Sequence, residues 1–145
     1  MEIRKALPQD AAQAGWLAAM LWPEHAAGEL AGELEQLIRS GDGAVFLALS
    51  DGEAAGFAQC QLRRDYVEGA ETSPVGYLEG IYVREPFRGS GFARALLRAC
   101  ESWAREQGCR EFASDCELDN EQSLRFHLSC GFREANRIIC FVREL

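Results

Sequence analysis

The segment from Val83 to Leu97, VREPFRGSGFARALL, constrains the fold most, because it joins an apolar run to a helical one through two closely spaced glycines. The first N–H groups of a helix have no partner within the helix, and that end carries a partial positive charge. Glycines at 89 and 91 let the backbone curl close to an anion, and Arg88 adds positive charge. The segment therefore predicts a strand, an anion-binding turn that would suit a pyrophosphate, and a helix.

Two common phosphate-binding motifs do not match this turn. A dinucleotide-binding fold requires G-x-G-x-x-G or G-x-G-x-x-A directly after its strand. Here Arg94 stands in the last position, and five residues separate Val83 from Gly89. A P-loop requires Gly-Lys-Ser or Gly-Lys-Thr, which the segment lacks. Glycines that stood alone would indicate no more than a helix entry without a ligand.

The remaining patterns indicate one domain, residues 1–145, in which strands and helices alternate. They predict strands at 3–7, 45–49, 54–62, 76–83 and 111–114, one or two further strands between 134 and 143, and helices at 8–21, 28–39, 92 to about 108, and 120–129. Asp51-Gly52 predicts a hairpin turn, and the long polar loop 63–74 is expected to help form a site. The order βααβββαβαβ predicts a mixed α/β or α+β domain with helices covering a central sheet.

Charge and cysteine content exclude several classes of function. The net charge of −8 repels nucleic acid and favours a cationic small molecule or a basic peptide, although solubility alone is the competing explanation. The six cysteines form no C-x-x-C pair and only two histidines accompany them, so we expect reduced thiols and no metal site. The N-terminus lacks an apolar leader and no run is long enough to cross a membrane, which predicts a cytoplasmic protein.

The turn resembles the acetyl-CoA pyrophosphate loop of the GNAT superfamily of N-acetyltransferases. The similar features are Arg88-x-x-Gly91-x-Ala93, a preceding Pro86 and a strand that ends at Val83. The likeness covers nearly the whole chain, because the order of elements and the Gly131-Phe132 ending also match.

The resemblance implies the GNAT fold, with a central mixed, largely antiparallel sheet whose strands splay and are flanked by helices. It implies acetyl-CoA as cosubstrate, held by the backbone of Ile81 and Val83, by Asn120, and by the loop residues Arg88, Gly89, Ser90, Gly91, Phe92 and Ala93. For Asn120, helix capping or surface exposure is the alternative explanation.

Five segments are similar to the chromosomal-type aminoglycoside 6′-N-acetyltransferases: 21–23 (LWP), 65–69 (DYVEG), 72–75 (TSPV), 78–83 (LEGIYV) and 113–115 (ASD). This resemblance implies acetyl transfer to the 6′-amine of aminoglycosides, antibiotic resistance, and a homodimer in which loop 63–74 reaches the partner's site. Two alternatives stay open. One is a GNAT enzyme that acts on a polyamine or a peptide amine, and the other is a non-catalytic acyl-CoA-binding module.

Acidic and aromatic residues are the candidates for the acceptor site. Glu79 interrupts an apolar strand, where a carboxylate is costly unless it is paired, so it is either a ligand or base for the substrate amine or part of a structural ion pair. Asp115 is expected to orient the substrate. The resemblance implies that Trp22, His25 and Tyr66 line the acceptor pocket, although Trp22 would also suit the core.

His127 is the second catalytic candidate beside Glu79. It lies four residues before Gly131, where GNAT enzymes commonly carry a tyrosine that protonates the departing CoA thiolate. An imidazole can transfer that proton near neutral pH, and a structural histidine is the competing interpretation. The cysteines have no neighbouring base in the sequence, so direct transfer is expected rather than an acetyl-cysteine intermediate.

Overall fold

The computed structural model describes residues Met1 to Leu145, and its five strands form one sheet in chain order. The strands are β1 (Glu2–Lys5), β2 (Gly43–Ser50), β3 (Glu53–Arg63), β4 (Val75–Val83) and β5 (Phe112–Ser114), and the helices are α1 (Ala11–Leu21), α2 (Ala27–Ser40), α3 (Phe92–Glu106) and α4 (Glu121–Ser129). Strands β1 to β4 pair antiparallel, whereas β4 and β5 pair parallel. The predicted mixed, largely antiparallel sheet is therefore confirmed.

The sheet is covered on both faces, and β2 is an interior strand between β1 and β3. Alternating side chains of β2 point to opposite faces, as in any strand. Ala44, Phe46 and Ala48 belong to the core under α3, and Val45, Leu47 and Leu49 belong to the core under α1 and α2. This double burial explains why the segment reads as a continuous apolar run rather than as an alternating one.

Turns with positive φ angles end the elements where the sequence indicated. Asp51 and Gly52 have φ angles of 50° and 81° and form the two-residue hairpin between β2 and β3. Gly41 ends α2 at a φ of 75°, the left-handed conformation in which glycine costs least. These boundaries lie within two residues of the predicted ones.

The pairing of β3 with β4 contains a bulge at Glu79. Gln59 lies opposite Gly80 and Cys60 lies opposite Leu78, so Glu79 is the extra residue on β4. The bulge reverses which side chains point toward α3, since Leu78 before it and Ile81 after it both pack against the same core. Beyond Leu78, β4 also loses β5 as a neighbour, because that pairing covers only three residues of each strand. The predicted splaying of strands is thus located at Glu79.

The prediction of one or two strands between residues 134 and 143 is wrong. Residues 132–145 form no regular secondary structure, and Ile138, Ile139, Phe141 and Val142 are 66%, 78%, 91% and 98% exposed. An apolar pattern indicates that a segment suits strand pairing, but pairing needs an unpaired edge within reach. In the single chain nothing covers this segment, which we call the apolar tail (residues 138–145).

Two tryptophans on the helices differ in burial. Trp103 is buried in the core under α3, whereas Trp16 is 45% exposed and its ring centroid lies 5.2 Å from the guanidinium carbon of Arg84. All six cysteines are free; Cys60, Cys100 and Cys109 are buried, whereas Cys116 and Cys140 are exposed. None of the helices combines the length and the hydropathy that a membrane crossing needs.

Candidate active site

The glycine turn between β4 and α3 presents an open backbone. Gly89 and Gly91 have φ angles of 80° and 86°, and a Cβ atom at Gly89 would meet nothing within 4 Å. The N-terminus of α3 has no side-chain cap and no acidic residue in its first turn. Its first N–H groups are therefore left for another acceptor, and an anion would meet a positive helix end without competition from a carboxylate.

Arg88 is tied to the end of β4 rather than directed freely into solvent. Its Nε donates to the carbonyl oxygen of Val83 over 2.8 Å, and its guanidinium lies 5.5 Å from the centroid of the Tyr82 ring. The remaining guanidinium N–H groups keep the positive charge beside the turn. Arg88 thus combines a structural bond to the strand with a charge near the helix N-terminus.

One edge of β4 is unpaired from the bulge to the end of the strand. From Glu79 to Val83, the strand pairs with β3 on one side, but β5 no longer accompanies it on the other. This edge runs toward the glycine turn and includes the predicted backbone positions Ile81 and Val83. The edge and the turn together form a continuous strip of main chain.

A cavity of about 250 Å³ lies between the bulge, α2 and the segment that joins α1 to α2. Its lining residues are Trp22, His25, Leu30, Glu33, Leu34, Gln59 and Glu79. Gly80 permits this arrangement, because a Cβ atom there would come within 2.5 Å of the Trp22 ring. The cavity thus has an aromatic wall and two carboxylates, a composition that suits a cation.

Glu79 is held by the guanidinium of Arg63. Nε of Arg63 lies 3.0 Å from Oε1, and its Nη2 lies 2.6 Å from Oε1 and 3.0 Å from Oε2. The Glu79 side chain is 18% exposed, so the pair is partly screened from water but stays accessible from the cavity. The ion pair satisfies a carboxylate that would otherwise be costly in a strand.

The same guanidinium connects Glu79 to Asp115 through a tyrosine. The Arg63 guanidinium stacks 3.5 Å from the centroid of Tyr77, and the Tyr77 hydroxyl donates to Asp115 over 2.5 Å. Burial, followed by the nearby Asp115 carboxylate, raises the pKa of Tyr77, so the phenol stays protonated as the donor. Two of the predicted acidic residues are therefore linked, through side chains that the sequence patterns did not single out.

His127 lies at the fork between β4 and β5. Its Nε2 is 2.7 Å from the Ser114 hydroxyl, and its Nδ1 is 2.7 Å from the carbonyl oxygen of Ser123. The ring packs edge-on against Phe126 and Phe132. Ser114 is the last residue of β5 that pairs with β4, so the imidazole is fixed beside the point where the two strands separate.

Two predicted site residues lie elsewhere or have another partner. Tyr66 is 83% exposed and donates to Glu68 in the loop, so the structure does not bring it to the cavity with Trp22 and His25. Asn120 caps α4, since its Oδ1 accepts the N–H of Ser123 over 3.1 Å. The capping alternative for Asn120 is present in the structure, and its side-chain N–H₂ group takes no part in that bond.

No sequence pattern singled out five further residues of the site: Arg63, Tyr77, Glu33, Gln59 and Ser114. Arg63 and Glu79 are 16 residues apart, and only the antiparallel pairing of β3 with β4 brings them together. A buried carboxylate implies a cationic partner, so the nearest arginine on the preceding strand was the available signal. No group of three His, Cys, Asp or Glu side chains is placed to hold a metal ion.

A profile of the acetyltransferase (GNAT) family matches residues 9–132. The chain is 49% identical to an aminoglycoside N(6')-acetyltransferase type 1 of Stenotrophomonas maltophilia over 140 residues, which cover 96% of this chain and 90% of that protein. It is 42% identical to a protein of the same name from Acinetobacter haemolyticus over 125 residues, which cover 86% of each chain.

Solved structures give the same picture. AAC(6')-Iy in complex with the bisubstrate analog CoA-S-monomethyl-acetylneamine superposes with a TM-score of 0.94 at 36% identity, covering 99% of this chain and 98% of that one. The apo aminoglycoside antibiotic 6'-N-acetyltransferase AAC(6')-IG from Acinetobacter haemolyticus gives a TM-score of 0.92 at 38% identity, covering 100% and 99%. Both similarities extend over nearly the whole chain.

Proposed function

The chain belongs to the acetyltransferase (GNAT) family, and from this premise we propose that it transfers the acetyl group of acetyl-CoA to the 6′-amine of aminoglycosides, which confers resistance to them. The observation that carries this function is the bulge at Glu79. There, an acid-lined cavity meets the unpaired edge of β4, which leads to the glycine turn. A cationic acceptor and an anionic acetyl donor thus have adjoining sites, each of the opposite charge to the molecule that it would bind.

The residues at the turn fit acetyl-CoA. Gly89 and Gly91 keep the turn free of side chains, and the first N–H groups of α3, including those of Phe92 and Ala93, are available for the pyrophosphate. Ser90 lies between the glycines and Arg88 adds charge at the same point. The unpaired backbone of Ile81 and Val83 suits the amides of the pantetheine arm, and the free N–H₂ group of Asn120 is a further donor.

The cavity residues would hold the acceptor. Aminoglycosides carry several ammonium groups, and the carboxylates of Glu33 and Glu79 face the space in which such groups would bind. We assign Glu79 to the reacting amine, as ligand or as the base that takes its proton directly or through water, and Asp115 to orientation. Trp22 and His25 supply the wall of the cavity.

His127 is assigned to the other proton transfer, the one that the departing thiolate requires. We propose a direct transfer, as the sequence predicts. Two of the buried thiols are poor nucleophiles, because a hydrogen bond with Cys60 and burial raise the pKa of Cys100, and burial raises that of Cys109. Acetyl-CoA and the acceptor then bind together before the chemical step.

A homodimer is the proposed assembly. The apolar tail exposes five large hydrophobic side chains, and contiguous exposed apolar surface marks interaction sites. The sheet ends at β5, whose outer edge has no strand beside it. A second copy is the occupant that we propose, since an extended tail and an unpaired edge on the same chain are complementary between two copies. A cytoplasmic location stays a prediction from the sequence.

Thiol release from acetyl-CoA tests the function. Release should accelerate with an aminoglycoside that has a free 6′-amine and stay near background with the matched 6′-hydroxyl aminoglycoside, because only the amine can be acetylated. Spermidine and a basic peptide serve as the competing acceptors. Faster turnover with spermidine or with the peptide would mean that the acceptor is a polyamine or a peptide amine and not an aminoglycoside. No thiol release with any amine would favour a non-catalytic acyl-CoA-binding module.

A further inference from the structure

Both ring nitrogens of His127 have partners within the protein. Nδ1 lies 2.7 Å from the carbonyl oxygen of Ser123, and Nε2 lies 2.7 Å from the hydroxyl of Ser114. The hydroxyl of Ser123 is also 3.3 Å from Nδ1, a longer contact on the same side of the ring. The ring edges between these atoms pack on Phe126 and Phe132. The imidazole in this position therefore has no nitrogen free to contact a thiolate.

The partner of Nδ1 fixes the tautomer. A carbonyl oxygen only accepts hydrogen bonds, so Nδ1 must carry a hydrogen in both protonation states of the ring. In the neutral ring, Nε2 then has only a lone pair, and it accepts the Ser114 hydroxyl hydrogen. In the imidazolium, Nε2 donates to the oxygen of Ser114 instead, and the hydroxyl hydrogen of Ser114 is released to point at another acceptor.

We propose that Ser114 is the residue that delivers the proton to the departing CoA thiolate, with His127 acting through it. The proposal rests on the proposed function and deepens it, because it moves the terminal donor from the imidazole to the serine hydroxyl. In the step, the Ser114 O–H bond breaks and an S–H bond forms. The Nε2–H bond of His127 breaks while a new O–H bond forms on Ser114. The products are free thiol, an intact serine and a neutral imidazole that keeps its Nδ1 hydrogen.

The position of Ser114 in the sheet supports this role. It pairs with Leu78, the last residue of β4 before the bulge, so its hydroxyl lies where the unpaired edge of β4 begins. The elements that pack on His127 bring few charges to it. Asp115 follows Ser114 but accepts the Tyr77 hydroxyl, Cys130 follows α4, and no carboxylate forms an ion pair with His127. The shortest hydroxyl contact through which the imidazolium can pass on a proton is therefore that of Nε2 with Ser114, at 2.7 Å, because the Ser123 hydroxyl lies 3.3 Å from Nδ1.

Nitrogen-15 NMR of the free protein tests the geometry without any turnover. In the neutral state, His127 should show a protonated Nδ1 and an unprotonated Nε2. Replacement Ser114→Ala should shift the Nε2 resonance by several ppm, while Ser129→Ala, a serine whose hydroxyl donates to Phe126 on the outer side of α4, should leave it unchanged. A neutral His127 with its hydrogen on Nε2 would overturn the proposal.

Kinetics test the role. Ser114→Ala should lower kcat by about tenfold to a hundredfold and leave the KM for acetyl-CoA within about twofold, because the lost group acts on the thiolate and not in binding. Ser114→Thr, which restores a hydroxyl, should recover most of the rate. The solvent isotope effect on kcat of the parent should indicate that two protons move in the transition state, and that of Ser114→Ala should indicate one.

The outcomes separate the two proposals. A parent that releases no thiol with any amine overturns the proposed function and the relay together. A parent that turns over while Ser114→Ala keeps both its rate and its isotope effect overturns the relay alone. A fall in kcat that Ser114→Thr does not recover also contradicts it, because the loss then follows the shape of the side chain and not its hydroxyl.

Discussion

At the scale of single residues, the charge balance around Glu79 decides how the cavity treats a cation. Arg63 neutralises Glu79 within the protein, so an ammonium group that binds there must share the carboxylate with a guanidinium. Glu33 lines the cavity as well, and Asp115 lies on the far side of Tyr77. The attraction for a polycation therefore comes from several carboxylates, of which Glu79 is held by the Arg63 guanidinium and Asp115 by the Tyr77 hydroxyl.

Neutralising the acidic residues should weaken the binding of the acceptor and leave the binding of acetyl-CoA unchanged. Glu79→Gln and Asp115→Asn should raise the KM of the aminoglycoside, and Glu79→Gln should also lower kcat, because it removes the proposed base. Added salt should weaken acceptor binding in the parent, and less in the variants. Glu106→Gln, an equal change of charge at the end of α3, is the control in steady-state assays. Parental kinetics in both variants would mean that the negative charge serves solubility.

Replacing Arg63 should show how much its ion pair with Glu79 contributes to the stability of the fold. Arg63→Met leaves a largely buried carboxylate unpaired, and we expect a loss of about 1 to 3 kcal/mol in the free energy of unfolding. The double variant Arg63→Met/Glu79→Gln should lose less than Arg63→Met alone, since no unpaired charge remains. Urea denaturation measures all three proteins. Simple additivity of the two substitutions would contradict the coupling.

Gly91 should tolerate no branched side chain if acetyl-CoA is to bind. Gly91→Val forces a β-branched residue to a φ of 86° and puts its side chain at the turn, so the affinity for acetyl-CoA should fall at least tenfold. Gly108→Val is a matched control, because Gly108 has a φ of 90° and equally open surroundings but lies beyond the other end of α3. Calorimetry on both folded variants separates strain from loss of the site, and equal affinities would contradict a pyrophosphate at this turn.

At the scale of secondary-structure elements, glycines and turns made most boundaries predictable, whereas departures from regular pairing did not. The hairpin at Asp51-Gly52 and the end of α2 at Gly41 follow from local backbone preferences, which a sequence displays directly. The bulge at Glu79 depends on the register between β3 and β4, which involves two distant segments. For the same reason, Ser114 and Arg63 gained their roles only when the strands were placed side by side.

The bidentate pair between Arg4 and Asp10 joins β1 to the start of α1, over 2.8 and 3.0 Å. The hydrogen bonds from Arg4 lower the pKa of Asp10 below its ordinary value of 3.8. A carboxyl group whose pKa is lower in the folded protein than in the unfolded chain stabilises the fold at any pH above its unfolded-state pKa. This stabilisation is lost as the pH falls through the folded-state pKa. Asp10→Asn should therefore cost about 1 kcal/mol at pH 7, and the difference from the parent should shrink as the pH falls below 3.8 and through the lower pKa of Asp10 in the folded protein.

Denaturation at pH 7, 5 and 3 measures this difference. Asp51→Asn is a suitable control, since Asp51 lies exposed in the hairpin turn and forms no ion pair there. A difference between Asp10→Asn and the parent that stays constant down to pH 3 would show that the lost packing, and not the charge, is responsible.

At the scale of the whole molecule, the apolar tail is the feature that a single chain leaves unexplained. Its apolar pattern predicted strands, but the single chain provides no strand for them to pair with. The sequence thus indicated that the segment suits strand pairing, but not which chain would supply the partner strand. Residues just before the tail do contact the body, since Arg133 and Asn136 donate to Gly69 and Glu68 in loop 63–74. The tail thus leaves the domain beside the loop that we expect to reach the partner's site.

Deleting residues 138–145 should convert a dimer into a monomer while the domain stays folded, because the contacts of Arg133 and Asn136 are kept. Sedimentation velocity at micromolar concentration measures the mass, and circular dichroism checks the fold. The full-length double variant Phe141→Asp/Val142→Asp is the second test, since it keeps the chain length but removes the apolar surface. A parent that sediments as a monomer would contradict the proposed assembly.

The glycine turn also has a consequence for the design of inhibitors. An inhibitor anchored on the N–H groups of α3 and the turn would bind atoms that every amino acid except proline possesses, so only a substitution by proline could remove one of them. Gly89 and Gly91 already have φ angles that other residues adopt only at a cost, which narrows the changes that could block the inhibitor. A mutation that obstructed such a compound would also obstruct acetyl-CoA, and escape would therefore sacrifice the enzyme's own activity.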